Sequence, residues 1–147
     1  MHRQVDLQGG RYEKRTLVAC TGAATLLLAA FATSPAQAAD TAYAGCTTTG
    51  ASGAVKITNW YDPTARVGLE FNLSDISPDN HHVRIRLVSE QYNGKRVNWP
   101  WRKNFDGSGT TKEWTSSASD DAGLHEIGVQ VARFEGDSLL NSCTDWA

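Results

Sequence analysis

Apolar and polar residues alternate in several short runs along most of the chain. The runs cover residues 55–58, 67–73, 83–87 and 127–131, and a plainer apolar pair follows at Leu139 and Leu140. Because successive side chains of a β-strand point to opposite faces, a period of two predicts half-buried strands. No segment shows a sustained helical period, so the pattern predicts an all-β protein.

Turn signals separate these runs. They lie at Asp62-Pro63, at Asn93-Gly94, and within residues 77–80, 106–109, 120–123 and 135–137. Glycine, proline, asparagine and aspartate favour the backbone conformations that tight turns require. Short strands with turns every 8–12 residues or so are typical of sandwiches and barrels. We therefore predict an antiparallel β-sandwich of about seven or eight strands, preceded at residues 39–44 by a small, polar leader.

The beginning of the chain has a different pattern. Basic Lys14 and Arg15 precede an apolar run over residues 17–31, and small residues end the segment at Ala36 and Ala38. This order is typical of a secretory signal peptide cleaved after Ala38. The apolar run has about 15 residues, whereas a membrane span needs about 20. We predict a signal peptide at 1–38 and one secreted, extracellular domain at 39–147, with no membrane association after processing.

The charge balance of the predicted domain argues against one class of partner. Four of the 14 basic residues and two of the 16 acidic residues precede residue 39, which leaves 10 basic against 14 acidic residues and a net charge near −4. General binding to nucleic acid depends on a basic surface that neutralises phosphates. The sequence therefore predicts no nucleic-acid partner.

Two of the three cysteines, Cys46 and Cys143, lie in the predicted domain. An even number of cysteines in an exported chain favours a disulfide, and only one pairing is available. Two free thiols or a metal pair are the alternatives, and two cysteines without a matching histidine pair make a poor zinc site. We predict a Cys46–Cys143 disulfide that closes nearly the whole domain.

The Asn93-Gly94 pair is the strongest hairpin signal in the sequence. It favours a two-residue type I′ turn, and the turn fixes the pairing of the flanking strands. In that register Val88 lies opposite Trp99, and Arg86 lies opposite Trp101. Leu87, on the other face of the hairpin, lies opposite Pro100.

This register assigns each side chain of the hairpin to one of two faces. Val83, Ile85 and Leu87 point toward the core. The outer face receives the candidate ligand-binding residues Trp99, Trp101, Arg84 and Arg86. Such a face suits sugar rings, or an anionic aromatic or peptide partner, through stacking and cation–π contacts. The alternatives are a bulge near Leu87 that turns the tryptophans inward, or a loop that covers them.

Four cations flank these tryptophans in an otherwise acidic domain: Lys95, Arg96, Arg102 and Lys103. Extracellular polyanions, such as those of the cell wall, are one class of partner for such a cluster. The alternative is a solvated edge strand whose cations prevent association between sheet edges.

Residues 121–129 resemble the corner that enters the penultimate strand of immunoglobulin-like and fibronectin-like domains, where Asp-x-Gly-x-Tyr precedes the strand. His125 stands in the tyrosine place, and Ile127 stands where true immunoglobulin domains have a cysteine. The buried tryptophan of their third strand is missing from residues 83–92. The resemblance implies an immunoglobulin-like sandwich and a structural hydrogen bond from the His125 side chain.

The chain also resembles the small exported proteins of actinomycetes, through its Ala-rich signal and a Gly/Ser/Thr-rich domain start with one cysteine near each end. Members of that group are mostly uncharacterised and include proteinase and amylase inhibitors. No inhibitory loop of those families can be matched here, and they commonly carry two disulfides. The resemblance therefore implies export rather than a particular activity.

No residue pattern in the predicted domain indicates catalysis or a cofactor. A nucleophile elbow, a Cys-His pair and a metal-binding histidine pair are missing from the sequence. His81 and His82 are adjacent, so on a strand they point to opposite faces and cannot easily chelate one ion. We predict no metal site and no catalytic residue.

The sequence favours a secreted, non-catalytic binding module for a carbohydrate, cell-envelope or protein partner. An alternative is an inhibitor of an extracellular enzyme that acts through a rigid loop at residues 104–111. A second alternative is a small hydrolase, which requires a cleft with His125 or His82 beside a nucleophile or carboxylate.

Overall fold

The computed structural model describes residues 41–147, so the predicted signal peptide at 1–38 lies outside the described residues. The described residues form nine β-strands and no α-helix. The strands are β1 (Ala42–Thr48), β2 (Ala51–Thr58), β3 (Val67–Asp75), β4 (His82–Glu90), β5 (Arg96–Asn98), β6 (Arg102–Asn104), β7 (Thr111–Ala118), β8 (Glu126–Glu135) and β9 (Ser138–Trp146). In this part of the chain no helix is long and apolar enough to cross a membrane.

The strands form two antiparallel sheets that pack face to face. The four-stranded sheet has the order β1-β2-β3-β7, and the five-stranded sheet has the order β5-β4-β8-β9 with β6 also paired to β4. Inward side chains of both sheets share one core, and Val83, Ile85 and Leu87 belong to it as predicted. The antiparallel β-sandwich is therefore confirmed, and its immunoglobulin-like assignment stays a prediction.

Two strands lie where the alternation pattern predicted none. β1 begins inside the segment expected to be a leader, and β7 is rich in threonine and serine. Both are edge strands of the four-stranded sheet. Because an edge strand buries fewer side chains than a central strand, polar residues are tolerated along it and the period of two is weakened.

A disulfide joins the two sheets along one side of the sandwich. Cys46 of β1 and Cys143 of β9 are bonded, with Cα atoms 6.1 Å apart, as the cysteine count predicted. Nearby, the backbone N–H of Gly45 donates to Asp145 Oδ2 at 2.9 Å. The β1–β9 side of the sandwich is thus closed by a covalent bond and by hydrogen bonding.

The predicted register of the hairpin is wrong by one residue. Val88 pairs with Asn98, and the Gln91 N–H donates to the Lys95 carbonyl at 3.0 Å, which leaves a three-residue loop. Asn93 Oδ1 accepts the N–H of Lys95 at 2.9 Å, and Gly94 takes the left-handed conformation with φ of 76°. The type I′ turn needs a left-handed residue at both central positions, whereas this loop needs only one.

A bulge then shifts the pairing a second time. β5 pairs Val88 with Asn98, and β6 pairs Ile85 with Arg102, so three edge residues face two residues of β4. Pro100 is the middle residue of the three, where its missing N–H removes no ladder bond. Side chains on either side of a bulge lose strict alternation, so Trp99 and Trp101 do not share a face.

Candidate binding surface on the five-stranded sheet

The outer face of the five-stranded sheet concentrates aromatic and cationic side chains. Four of the five cation–π contacts among residues 41–147 lie on this face. We use the name Arg–Trp face for the part of it formed by Arg86, Arg96, Trp101 and Trp146. The outer face of the four-stranded sheet is different: serine and threonine side chains predominate there, and its lysine, Lys56, is paired with Glu70.

Trp101 lies on the outer face, as predicted, because the bulge restores its outward direction. The Arg86 Cζ lies 4.3 Å from the centroid of the Trp101 ring. Phe134 contacts the same ring edge-on, with centroids 5.5 Å apart. Trp101 is half-buried by these neighbours, so it anchors the Arg86 guanidinium on the sheet.

Trp146 was missed by sequence reasoning and lies at the end of β9 on the same face. It pairs with Gly128 of β8, and a Cβ added to Gly128 would lie 2.8 Å from Cε3 of the Trp146 ring. Glycine at position 128 thus lets the indole pack against the sheet. The Arg96 Cζ lies 5.4 Å from the centroid of the Trp146 ring. The signal that could have found this contact is the glycine at an outward position of the alternating run 127–131.

The two arginines of the Arg–Trp face donate hydrogen bonds to neutral side chains. The Arg86 Nε donates to Gln130 Oε1 at 2.8 Å, and Arg96 Nη2 lies 3.4 Å from Thr144 Oγ1. Burial, followed by the charge of Arg96, lowers the pKa of the Arg86 guanidinium. Within the described residues, neither arginine has a carboxylate within ion-pair distance.

Arg84 lies on the outer face as predicted but is buried, with 6% of its surface exposed. Its Nη2 donates to the Gly136 carbonyl at 2.6 Å and to Asp137 Oδ1 at 2.8 Å, and its Nε donates to His82 Nε2 at 2.9 Å. Its Cζ also lies 3.9 Å from the centroid of Phe134. Arg84 therefore fastens the β8–β9 turn to β4, and a ligand has little access to it.

Trp99 does not lie on the outer face, which corrects the prediction. Its N–H donates to the Leu87 carbonyl at 3.1 Å, which places Trp99 opposite an inward residue. The ring packs against the core, and Nε1 donates to Ser89 Oγ at 3.0 Å. Trp99 points inward because the hairpin loop shifts the register by one residue, whereas the later bulge at Pro100 keeps Trp101 outside, so the predicted alternative of a bulge that turns both tryptophans inward is wrong.

His81 lies just before β4 and His82 is the first residue of that strand, and both line one depression of about 460 Å³. His82 stacks on Phe105 and accepts the hydrogen bond from Arg84. His81 Nδ1 lies 3.1 Å from Asp79 Oδ1, and its Nε2 lies 3.9 Å from Glu135 Oε2. These contacts place carboxylate and guanidinium groups beside the imidazoles, and Ser77 and Ser108 line the same depression without a hydrogen bond to either imidazole. No cluster of three or more metal-ligating side chains occurs in residues 41–147.

His125 is exposed, and the predicted hydrogen bond from its side chain is wrong. Its ring lies against Tyr92, with centroids 5.2 Å apart, and only its backbone N–H bonds across the corner, to the Glu90 carbonyl at 2.9 Å. The side-chain hydrogen bond to this corner comes instead from Trp60 Nε1, which donates to the Leu124 carbonyl at 3.0 Å. The tyrosine-corner resemblance therefore does not extend to the role of His125.

The surroundings of Asp79 and His82 predict that the protein loses stability in acid. Burial acts to raise the pKa of the Asp79 carboxyl, but hydrogen bonds from the His81 backbone, Ser77, Arg133 and the His81 side chain outweigh it and hold that pKa well below its usual range. Burial, followed by the charges of nearby cations, lowers the pKa of His82. In both cases the folded protein disfavours protonation, so each group contributes stability above its unfolded pKa and loses it as the pH falls.

We expect the melting temperature to fall in two stages. The first begins below about pH 6.5, where His82 starts to be protonated in the unfolded chain, and the second begins below about pH 4, where Asp79 does. Melting curves from pH 8 to pH 3 test this. His82→Gln should flatten the first stage and Asp79→Asn the second, and parallel curves for the wild type and both variants would contradict the assignment.

The loop over residues 104–111 is ordered by its own hydrogen bonds. Asn104 is buried, and its Nδ2 donates to the Thr110 carbonyl at 3.2 Å, while its Oδ1 accepts the N–H of Asp106 at 3.0 Å. Phe105 projects from this loop with 62% of its surface exposed. A rigid loop that presents an exposed aromatic side chain has the geometry that the inhibitor alternative requires.

A depression of about 510 Å³ lies on the outer face of the four-stranded sheet. Tyr43 and Ala54 line it, together with an ion pair in which Lys56 Nζ lies 3.2 Å from Glu70 Oε1. Lys56 and Glu70 are thus paired with each other, and the third charged lining residue, Glu113, is acidic, so the depression has no unpaired cation. This distinguishes the depression from the Arg–Trp face, where the cations have no carboxylate partner.

No protein-family model matches the chain, and neither a curated protein nor a solved structure is similar to it at a significant level. The functional conclusions therefore depend on the geometry of the described residues.

Proposed function

We propose that this protein is a secreted, non-catalytic binding module that attaches to a carbohydrate of the cell envelope through the Arg–Trp face. The observation that carries the proposal is the position of Arg86 and Arg96. Both lie on an open sheet face beside tryptophan rings and have no carboxylate partner among the described residues. Such cation–aromatic surfaces suit polar, ring-containing ligands.

The extracellular location that we propose for the module has two lines of support. The Cys46–Cys143 disulfide is of the kind that persists in oxidising compartments. The pattern of residues 1–38 predicts export, and the resemblance to small exported actinomycete proteins points the same way. An immunoglobulin-like sandwich, with ligands bound on one sheet, is the shape that we propose for the module.

Co-sedimentation with insoluble polysaccharides and isolated cell walls tests the proposed function. The purified protein should bind at least one of these materials. Trp101→Ala should weaken binding by about tenfold, because it removes the cation–π contact that holds Arg86 in place, which is worth roughly 1–2 kcal/mol. Phe105→Ala is the matched control, since Phe105 is an exposed aromatic residue outside the Arg–Trp face. Failure to bind any of these materials would overturn the proposed function.

Inhibition of a secreted enzyme is the second candidate function, favoured by Phe105 on the ordered loop 104–111. The same two variants separate the candidates when residual activity of secreted proteases is measured. An inhibitor would lose potency with Phe105→Ala and keep it with Trp101→Ala. A binding module leaves protease activity unchanged, and its polysaccharide binding is weakened by Trp101→Ala and kept by Phe105→Ala.

A further inference from the structure

The two indole rings of the Arg–Trp face are already occupied by the protein itself. Trp101 has the Arg86 guanidinium over its ring and Phe134 at its edge. Trp146 packs against Gly128 and has the Arg96 guanidinium over its ring. A sugar ring that stacked on either indole would have to compete with these contacts. The groups that remain open to a ligand are therefore N–H donors of the guanidinium groups.

The guanidinium groups have more donors than partners. Each carries five N–H donors in a fixed plane, and no acceptor. Arg86 uses its Nε on Gln130, and Arg96 uses one terminal nitrogen on Thr144. Within residues 41–147 the acceptors in these two bonds are neutral, so both positive charges remain uncompensated.

The two uncompensated charges are close enough to affect each other. Their hydrogen-bond acceptors, Gln130 and Thr144, are directly paired on β8 and β9, and the charge of Arg96 acts, after burial, to lower the pKa of Arg86. Lys56, Arg84, Lys112 and Arg133 have carboxylate partners at ion-pair distance, whereas Arg66 and the remaining lysines and arginines of the described residues, like Arg86 and Arg96, have none. An anion that contacts both arginines would relieve the repulsion and add charge-assisted hydrogen bonds.

We propose that the ligand of the Arg–Trp face is an anionic polysaccharide or polyol polymer, recognised by Arg86 and Arg96 through its repeated acidic groups. The inference rests on the proposed function and specifies its ligand. In this arrangement Trp101 and Trp146 hold the guanidinium planes in position and do not themselves stack on sugar rings. Because guanidinium pairs with both carboxylate and phosphate, the acidic group is either one of these.

Binding isotherms with three soluble polymers test the inference. Polygalacturonate supplies carboxylates, its fully methyl-esterified form supplies the same backbone without charge, and poly(glycerol phosphate) supplies phosphates. We expect binding to at least one anionic polymer, at least tenfold weaker binding to the ester, and weakening as salt is added. Whichever anionic polymer binds more tightly identifies the acidic group.

Three charge-removing variants locate the site on the surface. Arg86→Gln and Arg96→Gln should each weaken binding about tenfold or more, since a charge-assisted hydrogen bond contributes roughly 1.5–3 kcal/mol. Arg66→Gln is the control, because it removes the same charge next to the four-stranded sheet, where Arg66 bonds to Ser117. Equal losses in all three variants would indicate attraction by net charge alone and would overturn the assignment to this face.

The two proposals fail in different ways. Equal binding of polygalacturonate and its methyl ester would overturn the anionic ligand and leave the carbohydrate-binding function in place. No binding to any of the three polymers would overturn the anionic ligand. No binding to these polymers together with none in the co-sedimentation experiment would overturn both.

Discussion

Loss of the Cys46–Cys143 disulfide is expected to lower the free energy of unfolding by about 2–4 kcal/mol. The two cysteines are 97 residues apart in sequence, so the bond constrains nearly the whole unfolded domain. The chain-entropy limit for a loop of about 100 residues is roughly 4.7 kcal/mol, and measured losses are commonly smaller. For a domain of this size the loss corresponds to a fall in melting temperature of about 10–25 °C.

Urea denaturation of the oxidised protein, the reduced protein and the Cys46→Ser/Cys143→Ser double variant measures this loss. The double variant should match the reduced protein, because both lack only the covalent bond. A second check is mass: the oxidised protein should be lighter than the reduced one by about two hydrogens. A difference in unfolding free energy below about 1 kcal/mol would contradict the structural role of the bond.

Trp99→Ala is expected to cost about 2–4 kcal/mol of stability, and Trp101→Ala less. The estimate for Trp99 lies near the lower end of the range for buried tryptophans because the ring is only half-buried. Trp99 packs against the core and donates to Ser89, whereas Trp101 lies outside the core on the Arg–Trp face. The two tryptophans therefore offer an internal comparison of core and surface.

Thermal melts of Trp99→Ala, Trp101→Ala and Trp99→Phe test this comparison. Trp99→Phe should recover most of the lost stability, because it restores apolar contact and omits only the Ser89 hydrogen bond, which contributes about 1 kcal/mol. If Trp101→Ala proved as destabilising as Trp99→Ala, Trp101 would be a core residue and the Arg–Trp face would lose its central aromatic side chain.

Local sequence patterns were sufficient to predict the central strands and the disulfide. The runs of alternating residues lie within the four central strands β2, β3, β4 and β8. A strand with a neighbouring strand on each side must place its apolar side chains on the core face. The disulfide could be inferred by counting, since only Cys46 and Cys143 lie in the domain. The edge strands β1 and β7 could not be found in this way, because little burial constrains their sequence.

The composition of the binding surface depended on details that local patterns do not determine. Asn93 can enter a tight turn as a left-handed residue or through a side-chain hydrogen bond, and the two choices differ by one residue in register. The register error alone would place both tryptophans inside. The bulge at Pro100 turns Trp101 back to the outer face, whereas Trp99, which precedes the bulge, stays inside. Trp146 reaches the same surface only through the pairing of β9 with β8, which joins residues distant from the hairpin.

The bulge at Pro100 also affects how copies of the protein meet one another. An uninterrupted edge strand presents a row of free N–H and C=O groups that a second chain can extend, which promotes aggregation. The edge formed by β5 and β6 changes register between Asn98 and Arg102, so an incoming strand cannot pair with both segments in one alignment. The same extra residue that sends the tryptophans to opposite faces therefore protects this edge from strand-to-strand association.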